Sequence, residues 1–297
     1  MMRENFEIDG VKDVVLDTDA YNEIDDQFAI SYLLRSSERL NTLAFYAAPF
    51  FNEKSSGPKD GMEKSYDEIL KLLRLAGESY PVFKGSERYL EDEETPVHSP
   101  AAEDLAARAM QYTPERPLYV VAIGAITNVA SALLLNPQIK ERIVVVWLGG
   151  HSYDYGKPYD FNMKQDVAAV RVVMGSGVRF VQIPGFGVAG GFTISKPELE
   201  YWLAGKNPLA DYLAKNTIAE ADSYAAGKPW TRIIWDVTAI AWLLNDNDRF
   251  LKWRVIPVLL PEYENRYADA PLAHSFCCAY WLNRDALMQD LITKLTQ

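Results

Sequence analysis

Short, wholly apolar runs alternate along the chain with longer segments whose apolar residues recur every three or four positions. Runs of the first kind are typical of strands buried on both faces, and the longer segments are typical of amphipathic helices. The alternation therefore predicts βαβ units and a largely parallel sheet. The strand candidates are residues 14–20, 43–51, 118–123, 143–148 and 178–183, and the helix candidates are residues 25–36, 65–76, 128–135, 197–204, 208–226, 236–244 and 283–295.

The chain shows no internal repeat, no low-complexity segment and no linker long enough to divide it, so residues 1–297 are expected to form one domain. Two polar stretches, residues 52–62 and 86–97, are expected to be loops at the rim of the sheet. We predict a single α/β domain with a mainly parallel, Rossmann-like central sheet flanked by helices. Ligands bind beyond the carboxyl ends of strands in such sheets. The candidates for a shared cleft are residues 17–26, 49–52, 123–128 and 149–162.

Charge and composition narrow the class of partner. The formal net charge of −11 argues against nucleic acid or an anionic membrane as the main partner, although it does not exclude a small uncharged ligand. No apolar run approaches the roughly 18 residues of a membrane span. The first residues lack the apolar segment of a secretory signal, and the two cysteines, Cys277 and Cys278, are adjacent and indicate no disulfide framework. We expect a cytoplasmic protein.

Four aspartates fall within ten residues at the end of the first predicted strand and the start of the following helix. Crowded carboxylates are unfavourable unless a cation or a helix N-terminus balances them. Asp25 and Asp26 alone would fit a simple role at the helix N-terminus, but Asp17 and Asp19 follow a wholly apolar strand and are expected at its end. The pattern therefore favours a metal site with the oxygen ligands that Mg²⁺ and Ca²⁺ prefer.

Other metal-dependent classes fit the sequence less well. The three histidines lack the helical spacing of a zinc hydrolase; they are His98, His151 and His274. A calcium loop of the EF-hand type beginning at Asp17 would place Asn22 where glycine is needed and Phe28 where a bidentate glutamate is needed. Phosphatases of the haloacid dehalogenase type also carry Asp-x-Asp after a first strand. They usually continue with Thr or Val where this chain has Tyr21, and they lack the following Asp-Asp pair.

The string from residue 17 to residue 26, Asp-Thr-Asp-Ala-Tyr-Asn-Glu-Ile-Asp-Asp, resembles the Asp-x-Asp-Pro-Gly-x-Asp-Asp hallmark of the inosine-uridine nucleoside hydrolase family. It has two extra residues and no Pro-Gly. Residues 81–85, 122–130 and 160–162 are similar to the family's Pro-Val-x-x-Gly, Gly-Pro-Leu-Thr-Asn-Ile-Ala and Glu-Phe-Asn motifs. Residues 235–237, Trp-Asp-Val, stand where the family has His-Asp before a late helix. Over most of its length the chain resembles a divergent branch of this family.

The resemblance implies a calcium-dependent N-ribosyl hydrolase that converts a small-molecule ribonucleoside into ribose and free base. It implies calcium coordination by Asp19, Asp26, Asp236 and the carbonyl oxygen of Ile123, with Asp17 orienting these groups from behind. Asp25 is the general base that the resemblance implies, taking a proton from a water on the calcium ion. A homodimer or homotetramer is the implied assembly.

The same resemblance implies that Asn52, Asp160 and Asn162 bind ribose hydroxyls. An Asx turn between two strands is the structural alternative for Asp160 and Asn162. At the base end, Trp235 replaces a histidine; it can stack on a base but cannot protonate one at neutral pH, and packing at the rim is an equal alternative. His98 lies where the family often has a histidine implicated in base activation, and it is the candidate acid.

A structural or merely exposed role is an equal alternative for His98, and His151, at a predicted strand end, is a weaker pocket candidate. Two other functions stay open at this stage. A related metal cleft would serve a hydrolase of another ribosyl compound or of a phosphate compound. The chain would alternatively bind ribose or a nucleoside without catalysis, which the replacement at Trp235 motivates and the retained Asp25-Asp26 pair opposes.

Overall fold

The computed structural model describes residues 10–297, so the segment that argues against a secretory signal lies mostly outside the described residues. The strands are β1 (Lys12–Thr18), β2 (Leu40–Ala47), β3 (Val82–Lys84), β4 (Leu118–Ala122), β5 (Ile143–Leu148), β6 (Arg179–Ile183), β7 (Thr193–Ser195), β8 (Thr231–Ile233), β9 (Leu251–Pro257), β10 (Pro261–Glu262), β11 (Arg266–Tyr267) and β12 (Ser275–Leu282). Eight of them form one sheet in the order β3-β2-β1-β4-β5-β6-β12-β9. Its pairs are parallel except β12 with β9, which confirms the predicted fold class.

Helices cover both faces of this sheet. They are α1 (Asp25–Leu34), α2 (Pro58–Ala76), α3 (Pro100–Arg108), α4 (Thr127–Leu135), α5 (Phe161–Gln165), α6 (Val167–Gly175), α7 (Lys196–Glu198), α8 (Pro208–Ala225), α9 (Val237–Leu243) and α10 (Arg284–Leu295). A π-helical turn, Leu199–Leu203, continues α7. The two remaining strand pairs, β7 with β8 and β10 with β11, are short and antiparallel.

The core has one layer on each side of the sheet. Along β1, Val14 and Leu16 pack with α1, α2, α8, α9 and α10, whereas Val15 packs with α3, α4 and α6 on the other face. This alternation follows from the two-residue period of a strand. It explains why β4 and β5 are apolar at every position, because both of their faces are buried.

Several predicted boundaries are wrong. Helix α2 begins at Pro58, inside the expected loop. The prediction placed the start too late because the first turn of the helix is polar and shows no apolar period. Helix α3 was not predicted, since alanines supply most of its buried face and give a weak periodic signal. Helix α4 begins one residue earlier than predicted, at Thr127, and the side chains of Thr127 and Asn128 bond to Asp166 and Asp17. The predicted loop over residues 86–97 contains no helix or strand, as expected.

Within the described residues, no helix combines the length and the apolar character needed to cross a membrane.

Candidate functional site

A cavity of about 370 Å³ opens at the carboxyl edge of the parallel sheet. Its walls come from the loop after β1, from Ile123 directly after β4, and from the segment after β5 that leads into α5. The turn after β6 and the two residues before α9 complete it. The carboxyl ends of parallel strands meet at one edge, so three of the four segments expected there contribute to this cavity. Residues 49–52 do not line it.

Four buried aspartates line the cavity. Carboxylate oxygens of Asp25, Asp26 and Asp236 lie within 4.8 Å of one another, in an arrangement that could hold a metal ion. Asp19 also lines the cavity, and neither of its carboxylate oxygens has a hydrogen-bond partner. All four side chains belong to residues between 1% and 3% exposed. Buried carboxylates at this density are unfavourable unless protons or a cation neutralise them.

The electrostatics of the four aspartates follow from this burial. Burial raises the pKa of Asp19 well above its usual range, and the negative charges of Asp26 and Asp25 raise it further. The pKa of Asp236 is raised in the same way, first by burial and then by Asp25 and Asp26. For Asp25, burial and the nearby carboxylate of Glu23 are the largest causes of a raised pKa. The cluster therefore favours whatever supplies positive charge.

Local structure holds Asp25 and Asp26 in place at the first turn of α1. The N-terminal end of a helix is favourable for negative charge because its backbone N–H groups point outward. The Thr18 hydroxyl, at the end of β1, donates to Asp26 Oδ1 at 2.5 Å. Burial raises the pKa of Asp26 to about 7, although the hydrogen bonds with Thr18 and Asp236 lower it.

Asp17 lies behind the cavity and does not line it. Asn128 Nδ2, on α4, donates to Asp17 Oδ1 at 2.7 Å, and the other Asp17 oxygen has no hydrogen-bond partner. The amide oxygen of Asn128 accepts from both the backbone and the hydroxyl of Ser86. Burial raises the pKa of Asp17 to about 7, and the bond from Asn128 lowers it. Asp17 thus connects the end of β1 to α4.

Asp160 and Asn162 do line the cavity. Asp160 accepts a hydrogen bond from the Met163 backbone at 2.8 Å and caps α5, so the segment leads into a helix and does not join two strands. Asn162 Nδ2 donates to the carbonyls of Ile123 and Leu148, at 3.1 and 3.0 Å. Those two bonds occupy the Asn162 amide nitrogen and leave its amide oxygen as an acceptor.

The structure does not bring Asn52 to the cavity wall. Asn52 Nδ2 donates to Asn22 Oδ1 at 2.6 Å, and its Oδ1 accepts from the Lys54 backbone. Asn22 and Glu23 line the cavity instead. Both residues lie in the segment 17–26 that was expected at the cleft, but neither was singled out as a site residue, although they stand in the loop that is two residues longer than the family pattern.

The structure also keeps His98 away from the cavity. Its side chain is 69% exposed, and Nδ1 lies 3.2 Å from the Glu103 carboxylate. It directly precedes Ser99, whose hydroxyl accepts from the Ala102 backbone and fixes the start of α3. Because α3 covers one face of the sheet, this segment runs along the outside of the molecule.

Aromatic side chains form another part of the cavity wall. Trp235, Phe186 and His151 line it together with Tyr159 and Phe161. The Phe186 ring lies 5.5 Å from the Trp235 ring, edge to face, and 4.8 Å from the imidazole of His151. Trp235 therefore lines the cavity, and Phe186 is a cavity residue that sequence reasoning missed. The cavity thus has both acidic and aromatic lining residues.

Comparisons with known proteins agree with this architecture. Residues 14–269 match the family described as inosine-uridine preferring nucleoside hydrolase. A pyrimidine-specific ribonucleoside hydrolase from Salmonella newport (strain SL254) is 29% identical over 149 residues, which cover 48% of this chain and 47% of that protein. The aligned segment thus spans about half the length of that relative.

Solved structures share the fold. A purine-preferring ribonucleoside hydrolase from Gardnerella vaginalis superposes with a TM-score of 0.72 and 20% identity, over 96% of this chain and 98% of that one. An inosine-guanosine nucleoside hydrolase gives a TM-score of 0.75 and 16% identity, over 96% and 98%. At these identities the likeness establishes the fold, which confirms the sheet topology expected from the sequence.

Proposed function

Because the chain belongs to the inosine-uridine preferring nucleoside hydrolase family, we propose that it hydrolyses the N-glycosidic bond of ribonucleosides and releases ribose and free base. One observation carries the proposal: Asp25, Asp26 and Asp236 converge in a cavity that is also lined by Asp19 and by the aromatic pair of Phe186 and Trp235. A nucleoside likewise combines a hydroxyl-rich sugar with a planar base. The cavity volume, about 370 Å³, lies in the usual range for small-molecule sites.

Calcium is the cofactor that we propose for the acidic cluster. The donor set consists of carboxylate and carbonyl oxygens, which calcium prefers, and both oxygens of Asp19 are buried without a partner. Asp19, Asp26, Asp236 and the carbonyl oxygen of Ile123 would hold the ion, and Asp17 would support them from behind. Bound there, calcium would offset the negative charge, bind ribose hydroxyls and lower the pKa of a coordinated water.

Asp25 is the general base in this proposal. It stands in the first turn of α1 beside Asp26 and Asp236, so it can accept a proton from the attacking water. The water oxygen forms a bond to the anomeric carbon, while the electron pair of the C–N bond passes to the base. The transition state resembles the oxocarbenium ion of glycoside hydrolysis.

The ribose would be positioned by Asp160 and Asn162. The amide oxygen of Asn162 can accept from a ribose hydroxyl because its nitrogen already donates to two backbone carbonyls. Asn52 would act through Asn22, whose side chain it holds at the cavity wall. Trp235 would contact the base. A homodimer or homotetramer and a cytoplasmic location stay predictions of the sequence.

A comparison of leaving groups tests the proposed reaction. The protein is incubated with inosine, uridine, p-nitrophenyl riboside and p-nitrophenyl phosphate, with calcium or with a chelator. Ribose is expected from all three ribosides in the presence of calcium, together with free base from inosine and uridine and p-nitrophenol from p-nitrophenyl riboside, with no release from the phosphate ester. Turnover of the phosphate ester alone would support a phosphatase. Calcium-dependent binding without turnover of any riboside would support a non-catalytic nucleoside-binding protein.

The effect of calcium on stability is expected to depend on pH. In the metal-free protein the pKa values of Asp17 and Asp26 are about 7 and that of Asp160 is about 6, all above the ordinary value of 3.8. A carboxyl group with a raised pKa in the folded state favours folding below its unfolded pKa and loses that contribution as pH rises through the folded pKa. The metal-free protein should therefore lose stability between about pH 4 and pH 8.

Calcium binding favours the ionised carboxylates, so the rise in Tm on adding calcium should be larger at pH 8 than at pH 5. At a concentration 100-fold above Kd the stabilisation is about 2.7 kcal/mol, which corresponds to a Tm shift on the order of 5 °C. Thermal unfolding followed by circular dichroism at both pH values, with calcium and with a chelator, measures it. Equal shifts at pH 5 and pH 8 would contradict this account of the cluster.

A further inference from the structure

His151 is the one histidine among the described residues that lines the cavity. It follows β5 after two glycines and is 7% exposed. Its backbone is fully engaged, because its N–H donates to the Pro158 carbonyl at 2.9 Å and its carbonyl accepts from the Tyr267 hydroxyl at 2.7 Å. Hydrogen bonds to both peptide groups that flank its Cα therefore fix the His151 backbone beside the aromatic residues of the cavity.

The hydrogen bond to its ring fixes the tautomer of His151. The backbone N–H of Phe186 donates to His151 Nδ1 at 3.2 Å. Because a backbone N–H only donates, Nδ1 must be the unprotonated nitrogen, and the neutral ring carries its proton on Nε2. Burial lowers the pKa of His151, which favours this neutral form at physiological pH. Within residues 10–297, Nε2 has no hydrogen-bond partner.

The surroundings of His151 suit a planar heteroaromatic group. The rings of Phe186 and Trp235 form an edge-to-face pair that also lines the cavity. Aromatic walls favour a flat ring, and apolar surroundings strengthen a single hydrogen bond made there.

We propose that His151 donates its Nε2–H to a ring nitrogen or carbonyl oxygen of the leaving base, and so determines which bases are released. This rests on the proposed function. As water attacks the anomeric carbon, the electron pair of the C–N bond moves onto the base, and the hydrogen bond stabilises it there. Asp25 takes one proton of the water, and the departed base gains a proton from solvent. His151 keeps its own proton, since losing it would leave an imidazolate.

The proposal accounts for Trp235, which occupies the position where the family pattern has a histidine. The donor comes from the end of β5 instead of from the residue before α9, while the tryptophan contributes ring surface. His151 would then select nucleosides whose base presents an acceptor to Nε2. A leaving group that is already stable as a free anion would depart without a hydrogen bond from His151.

Two substitutions and two classes of substrate test this role. His151→Phe keeps an aromatic ring and removes the donor, whereas His151→Gln keeps an N–H close to the position of Nε2. For inosine or uridine, kcat/KM should fall by about 10²-fold in His151→Phe and by less than about 10-fold in His151→Gln. For p-nitrophenyl riboside, whose nitrophenolate needs no donor, both variants should stay within about 3-fold of the unsubstituted protein.

His274→Phe is the matched control. Its Nε2 lies 2.8 Å from the Met174 carbonyl, and it directly precedes β12, at the sheet edge opposite the cavity. The ratio of nucleoside to p-nitrophenyl riboside turnover should not change in this variant. An equal loss on both kinds of substrate in His151→Phe would indicate a structural role and overturn the proposal, as would no loss on either.

The tautomer gives a second, independent measurement. In ¹⁵N-labelled protein near pH 7, the His151 imidazole should show a protonated Nε2 and an unprotonated Nδ1. An imidazolium ion or an Nδ1–H tautomer would also overturn the proposal. Absence of turnover of every riboside by the unsubstituted protein would instead contradict the proposed function itself, so the two failures are distinguishable.

Discussion

Asp25→Asn is expected to lower kcat for ribonucleoside hydrolysis by about 10²–10⁴-fold, the usual contribution of a general base. Asparagine has nearly the same shape, so the buried first turn of α1 should keep its packing. It cannot accept a proton from water as a carboxylate does. Calcium binding should persist, because Asp19, Asp26 and Asp236 remain. Steady-state kinetics together with the calcium-induced change in Tm separate the two effects.

Asp246→Asn provides the matched control for this substitution. Asp246 pairs with Arg39 on the surface, where its side chain is 46% exposed, and such pairs contribute about 0–1 kcal/mol. The kcat of the Asp246→Asn variant should equal that of the unsubstituted protein. If Asp25→Asn also keeps kcat within about 3-fold, Asp25 is not the base. If it keeps kcat low and loses the calcium effect on Tm, Asp25 is a ligand.

Asp236→Asn is expected to have two effects of opposite sign. It removes one oxygen ligand and one charge from the proposed calcium site. Calcium affinity should therefore fall by at least 10–100-fold, because that loss is already typical when a residue that only hydrogen-bonds to a metal ligand is substituted. Activity at low calcium should fall with it. The metal-free protein should become more stable, and increasingly so as pH rises, because the Asp236 carboxylate lies buried beside Asp25 and Asp26 and its ionisation is unfavourable.

Calcium titrations followed by Tm and by nucleoside turnover measure both effects of Asp236→Asn. The metal-free variant should melt at a higher temperature than the unsubstituted protein at pH 8, and the two melting curves should approach each other at pH 5. A variant that binds calcium with unchanged affinity would show that Asp236 is not a ligand. Lower metal-free stability at pH 8 would show that the aspartate contributes a favourable interaction instead of repulsion.

Five of the eight strands of the sheet were predictable because burial on both faces leaves a clear apolar run, whereas β3, β9 and β12 were not predicted. Strands β4 and β5 are apolar at every position, and the observed bounds differ from the predicted ones by at most one residue. The alanine-rich helix α3 gave no such pattern, since small side chains bury little apolar surface. The first turn of α2 was not predicted because Lys59 and Asp60 are polar. The apolar pattern thus identified strands with unbroken apolar runs and missed a helix whose buried side chains are mostly small.

The acidic part of the site was predictable because Asp17, Asp19, Asp25 and Asp26 lie within ten residues of one another. The rest of the site depends on contacts between distant segments. The backbone N–H of Phe186 donates to the His151 ring, 35 residues away in the sequence, and the spacing of residues does not predict that hydrogen bond. Asn22 and Asn52 are likewise 30 residues apart, and only the structure shows which of them reaches the cavity. Local motifs therefore predicted the acidic residues of the site, whereas the hydrogen-bond partners of side chains in loops could not be predicted from the sequence.

The proposed calcium site is the central claim, and anomalous diffraction tests it most directly. Crystals grown with calcium and soaked with ribose should show one anomalous peak at the carboxyl edge of the sheet. Oxygens of Asp19, Asp26 and Asp236 and the Ile123 carbonyl should lie about 2.3–2.6 Å from it, with ribose hydroxyls completing the coordination. An ion bound elsewhere, or no ion among these aspartates at saturating calcium, would contradict the account.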